Sequence, residues 1–148
     1  MKKILMLFIL TLTTILCKCQ CIGIGLHKKD IIIKNKYDTI VNKGNSSLGY
    51  YIQYTKTTNG SSAFYTYMFD SNNICYNESI TPKNNGSLDT WKTIFDKEGI
   101  SLPLPAHENT QIKTRWNYTL KNNSVLQIDL LYVEPEEQWA FIITNKHQ

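Results

Sequence analysis

Few residues in this sequence have the type and spacing that chemistry requires. His107-Glu108, a little ahead of Arg115, is the one place where a base, an acid and a cation come close along the chain. Neighbours in a loop cannot orient one another as a catalytic pair does, and no serine stands at a strained elbow beside them. The pair reads as a polar loop. Glu134, Glu136 and Glu137 form an acidic cluster. It lacks the alternating Asp/Asn ligands and the glycine of a calcium loop, so it reads as a hairpin tip, an acidic knob that suits a basic partner. Cys17, Cys19 and Cys21 crowd together, Cys75 stands alone, and no two cysteines have metal-ligand spacing. The histidines, His27, His107 and His147, fall in a tail, a loop and the C-terminus, where convergence on one ion is not expected. The glycines of Ile22 to Leu26 lack the dinucleotide spacing. No catalytic residue, metal ligand or cofactor is therefore expected.

The N-terminus has the pattern of an export signal. Lys2 and Lys3 precede an apolar run, Ile4 to Leu16, too short to span a bilayer. Small side chains at Cys17 and Cys19 suit cleavage before Gln20, giving residues 1–19 as signal peptide. The rival route acylates Cys17, as in bacterial lipoprotein signals, which this run resembles although Leu16 replaces the usual small residue before the cysteine. Cleavage before Gln20 removes Lys2, Lys3 and Lys18, leaving 13 basic against 12 acidic residues. A nucleic-acid footprint is thus not expected. It also leaves Cys21 and Cys75 as a candidate disulfide in an oxidising compartment.

Any chemistry would have to be positioned by a sheet. Residues 111–120 alternate apolar and polar side chains; Leu126, Ile128 and Leu130, then Trp139, Phe141 and Ile143, continue the period of two. Three such strands with short turns form an antiparallel meander. Upstream, Tyr50 to Thr57, Ala63 to Phe69 and Ile74 to Ile80 read as three more strands, with Ile74, Tyr76 and Ile80 in register and Asn59-Gly60 as a turn. Between the two sets, Leu88, Trp91, Ile94 and Phe95 lie on one helical stripe. Ser87 is the expected cap, Gly99 the left-handed stop, and Ile100 the residue folding back. The expectation is an α+β fold: a six-stranded antiparallel sheet in β-β-β-α-β-β-β order, with one amphipathic helix on one face. Residues 20–47 are expected to be a tail or short ribbon and residues 48–148 a single domain.

The nine tyrosines exceed what one small inner face needs. Tyr51, Tyr65, Tyr67 and Phe69 are candidates for a contact patch, unless a second layer covers them. With Glu134, Glu136 and Glu137 they make up the expected binding residues. The six Asn-x-Ser/Thr sequons, several in expected strands, reflect an Asn-rich composition. The functional expectation is a small exported protein of the bacterial envelope, periplasmic, secreted or surface-attached, that binds another protein without catalysis, as inhibitor or immunity-type proteins do. A membrane enters only through a lipid anchor. One rival is an envelope carrier of an apolar or aromatic ligand, with Trp91, Trp116 and Trp139 as lining. The second is a small hydrolase using His107, Glu108 and Arg115.

Overall fold

The computed structural model describes residues 22–58, 60–102, 111–120, 123–134 and 137–146. A short helix, α1 (Lys28–Lys34), precedes four strands, β1 (Thr39–Ser46), β2 (Gly49–Thr58), β3 (Ser61–Phe69) and β4 (Cys75–Pro82). Helix α2 (Asn85–Glu98) then leads into β5 (Ile100–Leu102), β6 (Ile112–Thr119), β7 (Val125–Val133) and β8 (Gln138–Asn145). All eight strands join one sheet in the order β1-β2-β3-β4-β8-β7-β6-β5, with every neighbouring pair antiparallel. Each half is a four-stranded meander entered from a helix, and the two meanders meet where β4 pairs with β8. Swapping the halves leaves the strand order unchanged.

The sheet is therefore antiparallel with a helix packed on it, as expected, but it has eight strands rather than six. β1 and β5, its two edges, account for the difference, and the stretch expected as a tail or ribbon contains α1 and β1.

Period-two alternation sends one set of side chains under the helices. Ile52, Tyr54, Tyr65, Tyr67, Ile80, Trp116, Leu126, Ile128, Phe141 and Ile143 are each 2 % exposed or less and belong to one core that runs from Ile24 to Ile143. α2 covers the middle of this inner face. Its Trp91 meets Tyr65 edge-on at 5.8 Å between centroids, and Phe95 lies 5.1 Å from Phe141 and 5.8 Å from Trp116. Trp116 Nε1 donates to Asp96 Oδ1 at 2.9 Å, which satisfies an indole N–H that burial would otherwise penalise.

The ends of α2 differ from expectation. Asn84, not Ser87, is the cap: its Oδ1 accepts from the Ser87 N–H at 2.8 Å, and Ser87 is buried inside the first turn. Gly99 is extended (φ −105°, ψ 169°) rather than left-handed. Glycine is needed there for close approach, since a Cβ would sit 2.9 Å from Phe95 O and 3.2 Å from Trp116 Cβ. Ile100 does not fold back; it is 67 % exposed at the sheet edge.

The other half of the inner face is covered by the chain entering the fold. Gly25 N donates to Cys75 O at 2.8 Å and Cys75 N to Leu26 O at 2.9 Å, fastening this segment to the start of β4. Gly23 passes so close to Tyr67 that a Cβ would stand 2.6 Å from its ring, and Ile31 of α1 is fully buried.

Candidate functional site

The expected contact patch divides between the two faces. Tyr65, Tyr67 and Phe69 point inward and are each 1 % exposed, covered by α2 and the entering segment, so they present no surface to a partner. Tyr51 is on the opposite face, half-buried, paired with Gly44 and Met68. The alternation of β3 explains the error. Aromatic residues occupy both parities, and the sequence does not say which parity the helices cover. Glu134 and Glu137 are exposed at the β7–β8 turn, with Glu137 at positive φ (48°). Glu136, His107, Glu108, Cys17 and Cys21 lie outside the described residues. Cys75 is 1 % exposed, forms no disulfide among the described residues, and its Sγ contacts Asn77 O at 3.4 Å. Burial, with Glu78 nearby, pushes this thiol up to about 12. Arg115 forms a two-point ion pair with Asp129, Nε to Oδ1 at 2.6 Å and Nη2 to Oδ2 at 2.9 Å, and Gln127 Nε2 donates to the same Oδ2.

The outer face is where most of the polar side chains gather. Strand pairing aligns one row across all eight strands: Asn42, Gln53, Thr66, Ser79, Ile142, Asp129, Arg115 and Leu102, each paired with the next. The neighbouring row runs Gly44, Tyr51, Met68, Asn77, Thr144, Gln127, Asn117 and Ile100 in the same way. Apart from the ends Asn42 and Ile100, all of these residues are half-buried: their neighbours pack beside them and their tips face outward. Gln53 Nε2 donates to Thr66 Oγ1 at 3.0 Å, and the Arg115–Asp129–Gln127 network holds the far side. Among the described residues, no helix packs on this face. Cross-strand bonds of this kind fix side-chain orientation, so the face offers donors and acceptors already in place.

One groove, of about 420 Å³, lies beside the start of α2, with Phe64, Pro82, Leu88 and Trp139 as apolar walls and Lys83, Asn84 and Glu137 among its polar ones. Of the three tryptophans, only Trp139 faces it; Trp91 and Trp116 are packed in the core.

The sequence reading missed Glu78, a buried carboxyl. It shares the period-two parity of Ile80, so alternation alone places it on the buried face, where a carboxylate is not expected. The pairing of Phe69 with Cys75 and of Met68 with Asn77 leaves Tyr76 as the extra residue of a bulge. That extra residue turns Tyr76 outward, 38 % exposed, and Cys75 inward, while Glu78 faces the core with Ile80. Glu78 is 0 % exposed; its Oε2 accepts the Gly23 N–H at 2.6 Å, while Oε1 has no hydrogen-bond partner. Burial raises its carboxyl to about 7, against the opposing pull of the Gly23 N–H, Lys56 and Lys34. Lys56 Nζ donates to Tyr67 OH at 2.7 Å and lies over the Tyr65 ring. This buried cluster fastens the entering segment to the sheet. Among the described residues, no group of His, Cys, Asp and Glu could hold a metal ion, and no helix is long and apolar enough to cross a membrane.

Comparison with protein-family models, with curated proteins and with solved structures finds no match.

Proposed function

We propose that this chain is a small exported, non-catalytic protein of the bacterial envelope whose outer sheet face binds another protein. The observation that carries the reading is the pair of half-buried rows across eight strands, which no described helix covers. Tyr51 and Met68 supply apolar contact there, and Gln53, Asn77, Gln127 and the Arg115–Asp129 pair supply oriented hydrogen bonds. Tyrosine, methionine and arginine are the side chains enriched at protein interfaces. An inhibitor or immunity-type role fits this design, because such a protein needs a rigid surface and no chemistry of its own. The acidic turn at Glu134 and Glu137 adds a charged rim for a basic partner. The test is capture of envelope proteins on the immobilised chain. Thr66→Arg and Ser79→Arg, which raise bulk from the middle of the row, should release a retained stoichiometric partner, whereas Thr93→Arg on α2 should not. Retention indifferent to the outer-face changes refutes the reading.

A second reading rests on the groove walled by Phe64, Leu88 and Trp139, whose volume is within the range of small-ligand sites. A carrier role predicts that an apolar aromatic compound shifts the emission of Trp139 and that Trp139→Phe abolishes the shift.

A further inference from the structure

Five of the eight large apolar residues left exposed among those described collect where the chain enters the fold. Ile32 and Ile33 on the outward side of α1 are 43 % and 65 % exposed, and Tyr37, just past the helix, is 90 % exposed. The edge strand β1 continues the series with Ile40 and Val41, at 47 % and 45 %. The opposite side of α1 is anchored, since Ile31 is fully buried and Asn35 Nδ2 donates to Ile31 O at 2.7 Å. The helix thus cannot roll to hide its isoleucines.

Charge gathers at the same place. Residues 28–43 hold five lysines, Lys28, Lys29, Lys34, Lys36 and Lys43, against Asp30 and Asp38. The chain beyond Lys43 has eight basic and ten acidic residues, so residues 28–43 carry a net positive charge that the following sequence does not. Lys36 Nζ lies over the Tyr37 ring at 4.7 Å, joining a cation to an exposed aromatic. Apolar side chains flanked by lysines on a fixed helix are the pattern of an element lying in the headgroup layer, where acyl chains take up the former and anionic lipids attract the latter.

The position of the chain agrees. Lys34 Nζ reaches Ile22 O at 3.5 Å, so the entering segment runs beside α1. Cys17 is five residues before Ile22, a reach of at most roughly 18 Å when extended. On the lipoprotein route a lipid at that cysteine would therefore lie within this reach of α1.

We infer that Ile32, Ile33 and Tyr37, with the lysines around them, form a docking surface for anionic lipid that sets the orientation of the domain on a membrane. This is separate from the outer sheet face, which in that pose remains available to a protein partner. The test uses the mature chain begun at Gln20, which retains the whole described core. Binding is measured by co-sedimentation with vesicles of phosphatidylcholine alone or mixed with phosphatidylglycerol. The chain should bind the mixed vesicles about tenfold more tightly, and Ile33→Asp with Tyr37→Asp should lose about tenfold of that binding. Ile100→Asp, at an equally exposed isoleucine on the far edge, should lose none. Circular dichroism verifies the fold of each variant, and serine replaces aspartate in any that fails. Absence of binding to the mixed vesicles overturns the inference, as does equal binding by the double variant. So does self-association, seen by sedimentation velocity, that Ile33→Asp abolishes; the occupant is then a second copy of the chain.

Discussion

Replacing Glu78 by glutamine should make this protein more stable at neutral and higher pH. The carboxyl is buried with one oxygen unpartnered, and its value rises from 4.5 to about 7. Between those two values the folded chain holds a proton that the unfolded chain has released. Folding is therefore favoured most below about 4.5, weakens as pH rises through the interval, and levels off above 7. A displacement of that size corresponds to at most about 3 kcal/mol. Glutamine keeps an oxygen for the Gly23 N–H and has no charge to desolvate. Urea unfolding followed by tryptophan emission, at pH 5 and at pH 8, measures the effect. Wild type should lose on the order of 2–3 kcal/mol of stability between the two, while Glu78→Gln should be nearly level. A wild type that gains stability over this interval, or a variant with the same slope, refutes the reasoning.

Three further outcomes follow from the packing. Asp96→Ala leaves the Trp116 indole N–H buried without an acceptor and should cost about 1–3 kcal/mol in chemical denaturation, whereas Asp96→Asn should cost less. Gly99→Ala places a methyl against Phe95 O and Trp116 and should destabilise by roughly 1–3 kcal/mol, although its φ of −105° suits any residue. The Cys75 thiol, buried and pushed up to about 12, should resist a maleimide reagent in the native protein at pH 8 and react once urea unfolds it. Prompt labelling in native buffer contradicts that placement.

What the sequence revealed depended on how each strand is buried. β6, β7 and β8 alternate cleanly because one face is core and the other open, and α2 shows its stripe for the same reason. β1 gives no such signal: as an edge strand it exposes nearly every residue, so nothing forces alternation. β5 is only three residues long and leaves too little pattern to recognise. The candidate site failed at two particular places. Tyr65, Tyr67 and Phe69 are as aromatic as Tyr51, and which parity faces the helices is a tertiary fact. The bulge at Tyr76 reverses the parity at the start of β4, turning Tyr76 outward and Cys75 inward; Glu78 keeps the parity of Ile80, and only its charge argued against burial.

The outer sheet face is the proposed place of contact, and a photo-activatable cross-linker reads contact position by position. Placed at Thr66 or Ser79 in the chain produced in its native cells, it should join the chain to one discrete partner, and at Thr93 on the exposed side of α2 it should join to none. Adducts at Thr93 with none at Thr66 or Ser79 would contradict the central claim.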